Sequence, residues 1–394
     1  MLFTKQSGFR MARLSVNNSL LHWAIERSNV PREVLEKKFP KIHLWISGKQ
    51  FPTLKQIESF AKATSTPFGF FFLPEPPVDR LPIPHFRTIA NDAPEGPSPD
   101  LLETVQTMEY RQQWMREYLK EQGHESLPFI GSASLEESPQ LVAEKIRETL
   151  GLKQDWASQQ PNWDEARKAL CRIIENIGIL IVFNGVVGNN THRALSPSEF
   201  RGFVLVDEYA PLIFVNGKDG IAAQMFTIAH ELAHVWYGRS AAFDLHEMQP
   251  ANDQSELTCN KVAAEFLIPE IELKRLWPSI SHHHDWHQRI AKQFKTSSLV
   301  AARRVLELNF ISRNEFIDFY NAYKVDEQRR VRKKSTGGDN RYTQNYRVGQ
   351  RFAKTVIGAV KEGRILYNEA YKLTGLNGKA FESYSKYLGN IGSN

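Results

Sequence analysis

The 394-residue chain has only two cysteines, Cys171 and Cys259, which stand far apart and in no CxxC pair. That excludes a disulfide scaffold and a cysteine-rich zinc knuckle. No apolar run approaches about 18 residues, so there is no candidate for a membrane-spanning helix. The opening stretch MLFTKQSGFRMARLSV lacks the apolar core of about 7–15 residues found in a secretory leader. Internal repeats and low-complexity tracts are also missing. The expectation is a cytoplasmic protein. Apolar residues make up 41% and charged residues 24%, the balance of a globular chain. At roughly 150 residues per domain the length suggests two or three domains, with more than one sizeable core.

Charge is unevenly spread. Residues 1–80 hold 12 basic and 6 acidic residues, residues 81–320 hold 23 and 32, and residues 321–394 hold 15 and 6. An acidic middle therefore lies between two basic ends. Basic ends suit contact with nucleic acid or an acidic partner, and they also suit ordinary solvated surface. The tightest run, Arg329, Arg330, Arg332, Lys333 and Lys334, precedes STGGDN and reads first as a charged linker.

Residues 18–64 read as short helices joined by turns, a pattern that suits a helix-turn-helix core or another small bundle. The segment FGFFFLP is too apolar for a free linker and should pack on a domain, while PEGPSPD marks a boundary. From Leu101 to Gln122 a long helix is expected. Its Tyr110, Trp114 and Tyr118 share one face, and an aromatic stripe at that spacing reads as core. Helices follow at 138–150 and 164–177. GILIVF, FRGFVLV and PLIFVN then read as strands, with PLIFVN (211–216) expected at a sheet edge, where it would pair with an extended peptide. A helix from Asp219 to Tyr237 comes next, with Asp219 as its cap. Further helices are expected at 255–268, 285–308, 346–361, 367–373 and 378–387.

The motif that carries chemistry is His230-Glu231-Leu232-Ala233-His234. Histidines four apart on a helix lie one above the other, so both imidazoles can reach one metal ion. Glu231 projects beside them, placed to act on a water rather than to ligate. That is the division of labour of HExxH zinc peptidases. Zinc lowers the pKa of water and polarises the scissile carbonyl, and the glutamate carries the proton to the leaving amine. A third ligand must come from farther on. Asp244, His246, Glu247, Asp253, Glu256, Glu265 and Glu270 are the candidates. Glu256 and Glu265 lie on opposite faces of one predicted helix, so at most one of them faces the histidines. Asn260 shares the face of Glu256. Tyr237 and His246 are candidates for stabilising an oxyanion. The cluster His282-His283-His284, with His287, reads as a loop leading into a helix.

Several blocks in order resemble the ImmA/IrrE-type metallopeptidases that carry an N-terminal Xre-like helix-turn-helix domain. They are GKQFPTLKQIESFAKA, FFLPEPP, LPIPHFRT, EFRGFVLVDEYAPLIFVNGKD, FTIAHELAHVWYG, ELTCNKVAAEFLIP and SSLVAARRVLEL. The resemblance covers about residues 20–310. It implies a zinc ion held by His230, His234 and a glutamate of the following helix. That glutamate precedes an alanine-asparagine pair by three residues. Here the pair reads Cys259-Asn260, so the role falls on Glu256. Cys259 itself reads as a small packing residue rather than a ligand. The helix-turn-helix block departs from the family pattern at Ile46 and Pro40. Lys37, Lys38, Lys41 and Lys49 still supply phosphate contacts.

The expected fold is α+β. An all-α helix-turn-helix module spans 18–75, and a linker and helical connector span 76–160. A zincin-like α/β metallopeptidase domain, with a short sheet and the HExxH helix, spans 161–310. A basic helical region spans 311–394. The expected function is zinc-dependent cleavage of a cytoplasmic protein, such as a repressor or antitoxin, by glutamate-assisted attack of water. Glu231 is the expected catalytic residue. His230, His234 and Glu256 are the expected metal ligands. Weak DNA binding through residues 18–64 is also expected, no membrane partner is expected, and the oligomeric state stays open. The alternative is a regulator that binds DNA or protein and keeps zinc only for structure.

Overall fold

The computed structural model describes residues 13–28, 30–77, 97–243, 254–330 and 340–391. LPIPHFRT, the ligand candidates Asp244, His246, Glu247 and Asp253, and the run from Val331 to Lys334 lie outside the described residues. Two compact units emerge. One is drawn from Met1–Pro82 with Ala90–Val105, and the other from Ile83–Ile89 with Gln106–Asn394.

In the first unit, α1 (Asn18–Arg27), α2 (Arg32–Lys38), α3 (Ile42–Ile46) and α4 (Leu54–Ala63) form an all-helical core. Asn17 and Thr53 cap α1 and α4. Thr53 and Gln56 exchange side-chain and backbone hydrogen bonds as a capping box. Leu20, Leu21, Leu35, Trp45, Ile57 and Phe60 are buried together. The aromatic run forms a 3-10 helix, Phe68–Phe72, and it does pack on this domain. Phe71 is buried with its ring 5.6 Å from that of Phe60. Ile46, the residue that departs from the family pattern, packs against the same core.

The second unit includes the later part of α5 (Pro99–Glu121), then α6 (Pro139–Thr149) and α7 (Trp163–Asn176). The strands are β1 (Leu180–Asn184), β2 (Val186–Val187), β3 (Asn190–Ala194), β4 (Gly202–Leu205), β5 (Leu212–Asn216) and β6 (Ala241–Phe243). The motif helix α8 (Ile221–Tyr237) lies between β5 and β6, and α9 (Gln254–Leu267) follows. Then come α10 (Glu270–Ile280), α11 (Trp286–Phe294), α12 (Ser298–Glu307) and α13 (Arg313–Arg330). The chain ends with α14 (Asn340–Val348), α15 (Gln350–Lys361), α16 (Tyr367–Thr374) and α17 (Gly378–Ile391).

The main sheet has the order β1-β5-β4-β6, while β2 and β3 form a separate pair. β5 pairs parallel with β1 and antiparallel with β4, so PLIFVN is an interior strand and not an edge. Both of its hydrogen-bonding sides are taken, and it has no free side for a substrate. Its unbroken apolar burial is that of a strand covered on both faces. The side chains alternate as a strand requires. Val204, Ile213 and Val215 face the core shared with α8, and Phe203 stacks on Phe214 at 4.8 Å on the other face.

Two further expectations change. Asp219 does not cap α8. Its carboxylate pairs with Arg201 and accepts from the Gly220 N–H, and Gly220 stands at the N-cap without a side chain. The aromatic stripe of α5 is not the buried face. Tyr110 is exposed and Trp114 and Tyr118 are half-buried, while Met108, Arg111, Met115 and Leu119 point inward. Arg111 is held there by the Leu373 and Arg347 carbonyls, which satisfies a guanidinium at an otherwise apolar position.

Candidate metal centre

Helix α8 is buried from Gln224 to Tyr237, on every side. Gly238 ends it in the left-handed conformation, φ 69°, where a side chain is strained. A Cβ at Gly238 would also stand 3.0 Å from the Gly131 Cα. β4 runs close enough to α8 that a Cβ at Gly202 would come within 2.5 Å of the Thr227 methyl carbon and 3.3 Å of the Glu231 Oε1. Glycine at 202 therefore sets how near the sheet comes to the motif.

The ring nitrogens of the two histidines converge. Nε2 of His230 and Nε2 of His234 are 3.0 Å apart. Glu256, in the first turn of α9, completes a triangle with them. Its Oε2 lies 3.1 Å from His230 Nε2 and its Oε1 lies 3.2 Å from His234 Nε2. Ligands about 2.1 Å from one ion at tetrahedral angles stand about 3.4 Å apart, so this triangle is sized for zinc. Among the described residues this is the group of histidine, cysteine and carboxylate donors able to hold an ion.

The far edge of each imidazole is also held. His230 Nδ1 lies 3.1 Å from Asn260 Oδ1, an atom that only accepts, so Nδ1 carries the proton and Nε2 presents its lone pair. His234 Nδ1 lies 3.7 Å from Cys259 Sγ. Two imidazole nitrogens and a carboxylate thus face one another, an arrangement that fits a cation. Burial lowers the pKa of His230, which favours the neutral, ligating form.

Glu231 is not part of the triangle. It is fully buried, and neither carboxylate oxygen has a hydrogen-bond partner among the described residues. Burial, and then the charge of Glu256, push its carboxyl well above the usual range. An orphaned buried carboxylate is costly, so its place beside the ligands calls for a reason other than stability.

Of the other candidates, Glu265 is structural. It pairs with the buried Arg304, and Arg147 donates to the Glu265 and Phe266 carbonyls, which anchors the end of α9. Glu270 pairs with Lys274 on the surface. The His282 and His283 rings lie tilted 4.1 Å apart in the turn before α11, and among the described residues they join no metal-holding group. Tyr237 is buried, and its hydroxyl has no partner among the described residues. The outer contact of Cys259 with His234 was not legible in the sequence. Its signal was position, three residues from a ligand on the same helix.

Residues 174–306 match the IrrE N-terminal-like domain family. Residues 348–387 match a domain of unknown function (DUF8813). No curated protein matches the chain. The matched segment holds α8, β4, β5 and the whole ligand triangle, so family and geometry bear on the same residues. The chain carries an IrrE/ImmA-like domain whose His-Glu-x-x-His motif and Glu256 form a metal-binding triad consistent with a zinc metallopeptidase.

Proposed function

We propose that this protein is a zinc-dependent endopeptidase of the cytoplasm whose substrate is a regulatory protein, a repressor or antitoxin. The observation that carries the catalytic part is Glu231, buried beside the ligand triangle with neither oxygen hydrogen-bonded among the described residues. His230, His234 and Glu256 would hold the ion. Zinc in such a site acidifies water and polarises a carbonyl. The charge of a bound ion would offset the burial that raises the Glu231 carboxyl, and Glu231 would then accept a proton from the attacking water and return it to the leaving amine. Asn260 and Cys259 keep the imidazoles oriented. The substrate class rests on the resemblance to proteases that cut repressors and antitoxins. Glu231 separates this reading from a structural zinc site, which needs no base.

The test is Glu231→Gln, co-expressed with candidate repressor or antitoxin substrates that the parent cleaves. The amide keeps the shape of the side chain but is no useful base. Zinc content and folding survive, and cleavage falls by at least about a hundredfold. Equal cleavage by parent and variant would remove Glu231 from the mechanism. Loss of zinc in the variant would make Glu231 a ligand.

A further inference from the structure

A cavity of about 620 Å³ opens between the start of α8, the middle of α9, α12 and α13. That volume suits a small organic ligand. Phe226, Val300, Tyr320 and Tyr323 give it an apolar, partly aromatic wall. Its charges are unbalanced, with five cations, Arg201, Lys261, Arg303, Arg304 and Lys324, against the two carboxylates of Asp219 and Glu307. Both carboxylates are already committed. Asp219 lies 2.9 Å from Arg201 and Glu307 lies 3.0 Å from Arg304. Arg304 also pairs with Glu265.

Two of the remaining cations are less provided for. Lys261 and Arg303 have no ion-pair or hydrogen-bond partner among the described residues, and the buried Nε–H of Arg201 has no acceptor among them. Lys324 lies 4.9 Å over the Tyr320 ring. The N-terminus of the 17-residue α8 adds positive potential on the same wall beside Ala222, while its Gly220 N–H is taken by the Asp219 carboxylate. Asn260 lines the cavity as well, and its side-chain oxygen is the atom that fixes the His230 ring.

We propose that this cavity binds a small organic anion, an aromatic body bearing a phosphate or carboxylate, and that the occupant acts on the zinc site through Asn260. The aromatic body lies on the tyrosine and phenylalanine wall. The anionic head meets Lys261, Arg303 and the start of α8. An occupant that engages the Asn260 amide changes how that amide holds His230 Nδ1, and so changes zinc affinity. The reading does not depend on peptidase activity.

The experiment titrates the zinc-loaded full chain by calorimetry with phenyl phosphate and naphthoate, against phenol and inorganic phosphate. One aromatic anion or both bind saturably, at least about tenfold tighter than either control, and comparing the two identifies the preferred head. Lys261→Gln combined with Arg303→Gln weakens that binding at least about tenfold while zinc content stays at the parent level. Binding directly to zinc would survive those substitutions, so the variant separates the two sites. Chelator competition then reads zinc affinity, which shifts when the better anion is present. Absence of binding by both anions at millimolar concentration overturns the proposal, as do equal binding of phenol or equal binding by the double variant. Unchanged zinc affinity overturns the coupling through Asn260.

Discussion

His230, His234 and Glu256 come from two helices, and only a closed tertiary structure holds their ligand atoms about 3 Å apart. Metal binding to such a site is linked to folding, because the unfolded chain has no preformed triangle. Zinc at a hundred times its dissociation constant stabilises the fold by about 2.7 kcal/mol. His234→Ala should therefore lose the bound ion and lose most of the zinc-dependent rise in unfolding temperature. Thermal melts with and without added zinc, alongside elemental analysis, check this. A variant that keeps both one zinc per chain and the full zinc-dependent rise would show that His234 is not a ligand. The histidine pair was legible in the sequence because helical spacing is fixed. The choice of Glu256 was not, since spacing alone left several acids open and only the family pattern singled it out. The corrections at this scale share a cause. Asp219 has the chemistry of a cap, but an arginine from the turn into β4 competes for it, and a pairing 18 residues away leaves no local trace.

Elements are more legible as units than in their pairing. Helical periodicities and apolar runs find many of the elements, but the expected helix at 285–308 is two, α11 and α12, the helices α10 and α13 were not foreseen, and sheet order depends on which strands meet across the chain. PLIFVN precedes the motif helix in sequence, which suggests an edge, although its continuous apolar run is the mark of an interior strand. A second long-range device joins α7 to the C-terminal region. Gly349, at the N-cap of α15, has no side chain to offer, and Glu175 of α7 fills the role by accepting from the Arg351 N–H at 2.9 Å. Burial raises the Glu175 carboxyl to about 7, against the opposing pull of the backbone N–H groups and of Arg351 and Lys354. The folded state therefore binds this proton more tightly than the unfolded chain. The neutral form favours folding below the ordinary glutamate range. That contribution is lost as pH rises toward about 7, by about 1.4 kcal/mol for each pH unit crossed. Glu175→Gln keeps an acceptor and removes the titration. The stability of the parent relative to the variant should fall between about pH 4.5 and pH 7 and level off above. Denaturant unfolding across that window reads the difference, and parallel curves would remove Glu175 as the source.

At the scale of the whole molecule, the charge asymmetry sets what the N-terminal unit can do. The acidic middle of the chain repels a polyanion, while residues 1–80 carry a surplus of six positive charges. Lys37, Lys38, Lys41 and Lys49 are all exposed on or beside α2 and α3. Ile46, where the family pattern has a polar residue, packs inward, so it adds nothing to base reading. A surface of lysines without a matched base-reading group binds phosphates and leaves sequence unread. We therefore expect DNA binding by the full chain to be weak and unselective. Four phosphate contacts at a slope of about 0.9 each make affinity fall about a hundredfold between about 50 and 200 mM salt. Replacing Lys37, Lys38 and Lys41 with glutamine should flatten that slope by about three contacts. The unchanged basic residues of 321–394 serve as the internal control. An unaltered slope in the triple variant would move the contact to that C-terminal region. Sequence-selective binding that persists at high salt would mean that the helices of the first unit read base edges after all.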